Sequence, residues 1–144
     1  MTDSNCIFCK IANGEIPSKT LYEDDKFRVI LDISPASKGH AIILVKKHAA
    51  NIYELPEEDA AQIYVVAKKV ATVMQKVLNC DGMNILQNNG EAAGQTVFHL
   101  HMHLIPRYDG DNVQIKWTPG SEAEALPDEL IAQIQKALKD IRFN

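Results

Sequence analysis

Cysteine is scarce: three residues in a chain of 144, an odd number, which fits a reducing compartment better than a secreted disulfide framework. An excess of basic residues is also missing. With 15 Lys and Arg against 19 Asp and Glu, the net charge is −4. This argues against a nucleic-acid backbone as the main partner, which usually calls for a basic face, and leaves room only for a local basic patch; nucleic acid is not expected as a partner. Apolar runs are short; AIILV at 41–45 falls far below the length of a membrane-crossing helix. The opening MTDSNCIFCK has no charged-then-apolar signal segment, so the expected location is cytoplasmic, with no membrane partner. Repeats and low-complexity tracts are absent. What is there, 46% hydrophobic and 24% charged residues, is the composition of one globular domain, read as spanning 1–144.

Punctuation and periodicity organise the chain. Asp3 or Ser4 is placed to cap a short helix carrying Cys6, Ile7, Phe8, Cys9 and Ile11, which Gly14 stops and Pro17 keeps from resuming. Two β-like runs, FRVILDI at 27–33 and HAIILVK at 40–46, flank the turn-forming SPASKG. After Pro56, apolar residues at three- and four-residue intervals, from Ile63 to Val77, predict one long amphipathic helix. A strand, MNILQN at 83–88, leads into the small-residue loop NGEAAGQT and then VFHLHMHLIP. VQIKW at 113–117 reads as a short strand. Pro127 opens a last helix with Leu130, Ile131, Ile134, Leu138 and Ile141 on one face. Strands and helices do not alternate regularly, which favours an α+β fold with an antiparallel sheet over a doubly wound one.

Side chains alternate along a strand, so His99, His101 and His103 are expected on one face and Phe98, Leu100, Met102 and Leu104 on the other, the core face. Three imidazoles in a row have no packing rationale, which points to a site. The pattern fits a catalytic metal on the three rings, or a nucleophilic histidine whose neighbours bind an anionic substrate. Upstream, Gly90 and Gly94 permit close backbone approach, and the Gln95 and Thr96 side chains are placed to hold phosphate oxygens. Cys6 and Cys9 form a CxxC spacing that suits half a zinc site; a redox dithiol and a pair of small core residues are the alternatives. Cys80 reads as merely buried.

HLHMHLI fits the alternating signature of the histidine triad (HIT) superfamily of nucleotide hydrolases and transferases. FCKI with EIP, YEDD, LDISP, KKH and NNGEAAGQTVFH follow the order of its Hint-like branch and bacterial zinc-containing members. The resemblance covers roughly 6–107, and the 108–144 extension matches least. It implies that His101 is the nucleophile toward the α-phosphorus of a nucleotide and that His103 binds a phosphate oxygen. The main chain at His99 would orient the nucleophile, with His40 close to the triad. Asp32 would accept the ribose hydroxyls. Ile7, Phe8 and Ile11 would form the base slot, and Asn88, Gly94, Gln95 and Thr96 would meet the phosphate and leaving group. It also implies a structural zinc on Cys6, Cys9, His48 and His99.

The function so implied is a purine nucleoside phosphoramidase that releases AMP or GMP and an amine through a nucleotidyl-histidine, acting as a homodimer with a joined sheet. A dinucleoside polyphosphate hydrolase and a non-catalytic nucleotide-binding module are the alternatives. Activity is expected to decline below about pH 6.5, where an unperturbed imidazole takes up a proton.

Overall fold

The computed structural model describes residues 3–121 and 125–143, so the outermost limits of the single-domain reading lie outside the described residues. The chain divides into two compact units, Met1–Val113 and Gln114–Asn144.

In the first unit, β1 (Thr20–Glu23), β2 (Phe27–Leu31), β3 (Ala41–Val45), β4 (Gly82–Leu86) and β5 (His101–Arg107) form an antiparallel sheet. The strand order is β1-β2-β3-β5-β4. This is the expected α+β architecture. The edge strand β1 is wholly exposed, so it lacks the half-apolar alternation by which sequence reveals a strand.

The two sheet faces do different work. Phe27, Val29, Ile43, Val45, Met102 and Leu104 project to one face and join Ile63, Val66, Ala67 and Met74 of α2 (Glu57–Leu78) in the main core. Each such fully buried aliphatic or aromatic side chain stabilises the fold by about 1.5–3 kcal/mol. Glu57, Glu58 and Asp59 occupy the first turn of α2, where the helix dipole favours acids, and Asn79 ends the helix in a left-handed conformation. On the other face, Ile30, Ile42 and Leu44 pack with Ala12, Phe8 and Ile11 of the short α1 (Ile7–Ala12).

Neither Asp3 nor Ser4 is the cap of α1. Cys6 is, and its Sγ accepts the Cys9 amide at 3.4 Å. The β2–β3 turn presses on the end of α2, where a side chain at Gly39 would begin 2.5 Å from Leu78 Cδ1 and would demand a φ of +90°. Glycine there lets the turn deliver His40 to the sheet.

The second unit contains α3 (Asp128–Lys139), the last helix expected from sequence, with Asp128 and Glu129 in its first turn. The VQIKW segment is not a strand; it has no ladder partner among the described residues.

Candidate active site

The histidine-rich segment departs from a single row. β5 begins at His101 rather than before His99, because the chain bends at 97–99 and the Leu100 amide leaves the ladder to donate to the Ala49 carbonyl at 2.7 Å. Phe98 is consequently half-exposed rather than part of the core. The His99 ring is fully buried and turns toward α1, whereas His101 and His103, opposite Leu44 and Ile42, stay on the α1 face of the sheet. The three rings do not converge on one point, which removes a metal shared by the triad.

His99 instead completes a different cluster. Its Nε2 lies 2.6 Å from the Val45 carbonyl oxygen, which only accepts, so Nε2 carries the proton and Nδ1 carries the lone pair. That lone pair faces Cys6 Sγ and Cys9 Sγ at 3.4 Å each and His48 Nδ1 at 3.3 Å, with His48 Nδ1 also 3.3 Å from Cys9 Sγ. A tetrahedron around zinc at ordinary bond lengths has edges of about 3.3–3.4 Å between nitrogens and about 3.5–3.6 Å between sulfur and nitrogen. The three sulfur–nitrogen separations and the nitrogen–nitrogen one given above match the corresponding edges to within about 0.3 Å, all four donor atoms lie within 4.8 Å of one another, and their chemistry, two thiols and two imidazole lone pairs, suits a metal ion. Cys6 and Cys9 are therefore not plain core residues.

A chain of hydrogen bonds fixes the other rings. The His101 Nδ1–H donates to the His99 carbonyl at 2.6 Å, which leaves the lone pair on Nε2. His40 Nδ1 accepts the Ala36 amide at 2.9 Å, so in the neutral ring Nε2 carries the proton and donates to His103 Nδ1 at 2.8 Å. His103 is thereby left with an Nε2–H to offer as a donor. The Asp32 carboxylate stands 3.6 Å from His40 Nε2, and its other oxygen accepts the Ser34 amide. Although Asp32, His40 and His103 are close enough to suggest a second metal cluster, the proton on His40 Nε2 makes it a hydrogen-bonded relay.

Burial sets the charge state of these rings. Loss of water pushes His40 and His101 below the ordinary histidine value, and His99 and His103 down to about 4, with the neighbouring histidines adding repulsion for the latter two. All four are neutral at pH 7. Burial also pushes the Cys9 thiol up.

Around this centre, Phe8 meets the His101 ring edge-on at 4.9 Å, and Ile11 packs beside it on α1, while Ile7 is exposed. Gly94, at a φ of +92°, has the Asn88 side chain 3.4 Å from where a Cβ would sit. The loop thus holds Asn88 and Gly94 side by side, with Thr96 exposed next to them.

Gln95 behaves differently from the sequence expectation. It is buried; its Oε1 accepts the Gly90 amide, and its Nε2 donates to the Ala50 and Val97 carbonyls. With these bonds made, the side chain braces the loop from inside instead of reaching toward a phosphate. The backbone groups of Val45, Ala36 and Ala50 were invisible to sequence reasoning, because a main-chain partner leaves no signature in residue type.

Residues 13–110 match the HIT domain family. The chain belongs to the HIT family. Adenosine 5'-monophosphoramidase HNT1 of Saccharomyces cerevisiae is 39% identical over 138 residues, covering 92% of this chain and 85% of that protein. A crystal structure of a HIT family member from Bacillus subtilis superposes with a TM-score of 0.84 at 40% identity, covering 98% of this chain and all of that one. A zinc-bound histidine triad family protein from Mycobacterium smegmatis gives 0.73 at 37% identity, covering 92% and 97%. The HIT fold of this chain is thus shared with solved HIT structures.

Proposed function

We propose that this HIT protein is a nucleotidyl hydrolase that cleaves purine ribonucleoside phosphoramidates through a covalent intermediate on His101. One observation carries the reading: a neutral imidazole whose Nδ1–H is held by the His99 carbonyl, so that the Nε2 lone pair is aimed and uncharged. A phosphorus centre bearing anionic oxygens repels charged nucleophiles, and a neutral ring avoids part of that cost.

His101 Nε2 attacks the α-phosphorus as the phosphorus–nitrogen bond breaks. The amine leaves with a proton, for which the exposed Thr96 hydroxyl is the nearby donor. His103 Nε2–H stabilises a non-bridging oxygen in both steps, and His40 keeps it in donor form. Water then attacks the nucleotidyl-histidine and releases the nucleoside monophosphate. Asp32 accepts the ribose hydroxyls. Phe8, Ile11 and Ile7 take the base, and Asn88, Gly94 and Thr96 line the phosphate side. The cluster of Cys6, Cys9, His48 and His99 holds zinc, which with four protein ligands has no open position and serves to cross-link α1 to the β5 entry.

The yeast relative, named as an adenosine 5'-monophosphoramidase, supports the substrate class, and the zinc-bound neighbour supports the metal. The working unit is a cytoplasmic homodimer. The outer edge of β4 has no strand partner among the described residues, and beside it Tyr64, Val65 and Ile85 form an exposed apolar strip that suits a second copy.

Incubation with an adenosine phosphoramidate and intact-mass spectrometry test the reading. The expected result is a protein heavier by one adenylyl group, followed by AMP and free amine. Faster cleavage of a diadenosine polyphosphate would move the protein to that class, and nucleotide binding with no adduct would make it a binding module.

A further inference from the structure

Cys6 and Cys9 stand at one end of a route to the nucleophile. Their sulfurs lie within 4.8 Å of each other and of the two imidazole nitrogens. Without a metal, the thiol protons are the donors to the His99 Nδ1 lone pair, at 3.4 Å from either sulfur. The other partner of that nitrogen among the described residues is His48 Nδ1 at 3.3 Å, which itself lies 3.3 Å from Cys9 Sγ, and the ring is wholly buried. The His99 carbonyl in turn holds the His101 ring. Between the two cysteines in sequence sits Phe8, whose ring abuts both His99 and His101.

We propose that the Cys6–Cys9 pair is an oxidation site through which hydroperoxides switch the His101 nucleophile off. The half-buried Cys6 is the point of entry. Its sulfur gives an electron pair to the outer peroxide oxygen, the oxygen–oxygen bond breaks, and an alcohol or water departs, leaving a sulfenic acid. The Cys9 sulfur then attacks that sulfur and expels hydroxide, which leaves as water with the Cys9 proton. Two thiols lose two electrons, and one hydroperoxide is reduced to an alcohol and water.

The product carries neither an S–H donor nor a thiolate. A bound metal ion loses two ligands and leaves. His99 Nδ1 loses both sulfur donors, and His48 Nδ1, which loses its own Cys9 partner at the same time, is left as its one remaining neighbour among the described residues, so the buried ring turns toward His48. Its carbonyl moves with it, and Phe8 is drawn along as the first turn of α1 tightens. Removing the metal under reducing conditions does not have this effect, because the thiol protons take its place at His99.

The inference rests on the proposed nucleotidyl transfer for its activity readout only. The experiment uses the full-length chain in a Cys80→Ala background, which removes the remaining thiol. Reduced, chelator-treated and hydrogen-peroxide-treated samples are compared by thiol titration, intact mass, metal content and the imidazole nitrogen resonances of His101. Adduct formation from adenosine phosphoramidate is followed alongside.

Peroxide is expected to consume two thiols, make the chain lighter by two hydrogens, release any metal and shift the His101 Nδ1–H resonance. Adduct formation should slow at least about tenfold, a change worth about 1.4 kcal/mol, and a dithiol reductant should restore it. In Cys6→Ser, peroxide should produce no intramolecular disulfide and no reductant-reversible His101 shift. A disulfide that leaves the His101 resonance unchanged overturns the proposal, as does exhaustive peroxide treatment that forms none. Should the reduced protein make no adduct at all, the functional reading fails, while the resonance shift still decides the switch.

Discussion

His101 donates its Nδ1 proton to the carbonyl oxygen of His99, two residues earlier in the same segment, across 2.6 Å. The contact exists because His99 stands outside the β5 ladder, so its carbonyl is free to turn toward the ring instead of toward a neighbouring strand. A nucleophile oriented by its own main chain is separable from the pocket that binds the nucleotide. His101→Ala should lower turnover by at least about 10³-fold and abolish the adduct. Isothermal titration with nucleoside monophosphate should show little change in affinity. An adduct mapped to His99 or His103 would overturn the assignment.

The acid limb of activity should lie below the unperturbed histidine value of about 6.5, because burial lowers both the nucleophile His101 and its neighbour His103. Protonating His103 would remove the acceptor that His40 donates to, and burial holds that event down to about 4. The sign for stability follows. His103 has a lower pKa folded than unfolded, so its contribution is complete above about pH 6.5 and is lost as pH falls toward about 4. Rate profiles of kcat/KM and thermal melts from pH 4 to pH 8 check both, and a half-loss of activity at pH 6.5 in a folded protein would contradict the site.

Elemental analysis of protein purified without chelators should give about one zinc per chain. Cys9→Ser should lower both zinc content and melting temperature, because it removes a ligand that is also a buried residue. Under reducing conditions, chelation should leave the folded protein active. Activity falling in step with zinc loss would mean the ion takes part in the chemistry.

Asp32 sets up a test of sugar choice. A carboxylate bonded to both ribose hydroxyls loses one partner with a 2'-deoxy substrate, and hydrogen bonds to charged groups are worth about 1.5–3 kcal/mol. Deoxy analogues should therefore be poorer in kcat/KM by about tenfold to about a hundredfold. Adenine and guanine should differ less than that, since Phe8 and Ile11 offer stacking and dispersion surface without a charged group. Equal use of both sugars would remove Asp32 from the binding site.

Gln95→Ala should destabilise the fold by about 2–3 kcal/mol, because it strands the Gly90 amide and the Ala50 and Val97 carbonyls that the side chain now satisfies. Denaturant melts measure this directly. A neutral effect on stability with a large rise in KM would return the side chain to the phosphate site.

Residue type and spacing already determined much of this protein. The long helix α2 was legible because apolar residues recur at its own period, and β2 and β3 because apolar runs are bounded by turn formers. The family and its candidate residues were legible because chemistry selects side chains: a CxxC, three alternating histidines, an acid after an apolar strand. The tertiary structure decided what depends on backbone groups and on where a strand starts. That His99 leaves the row, that Cys6 rather than Asp3 caps α1, that Gln95 faces inward, and that four histidines hold defined protons all follow from contacts with carbonyls and amides. Every residue carries those groups, so no sequence pattern marks the few that the fold brings to a particular ring.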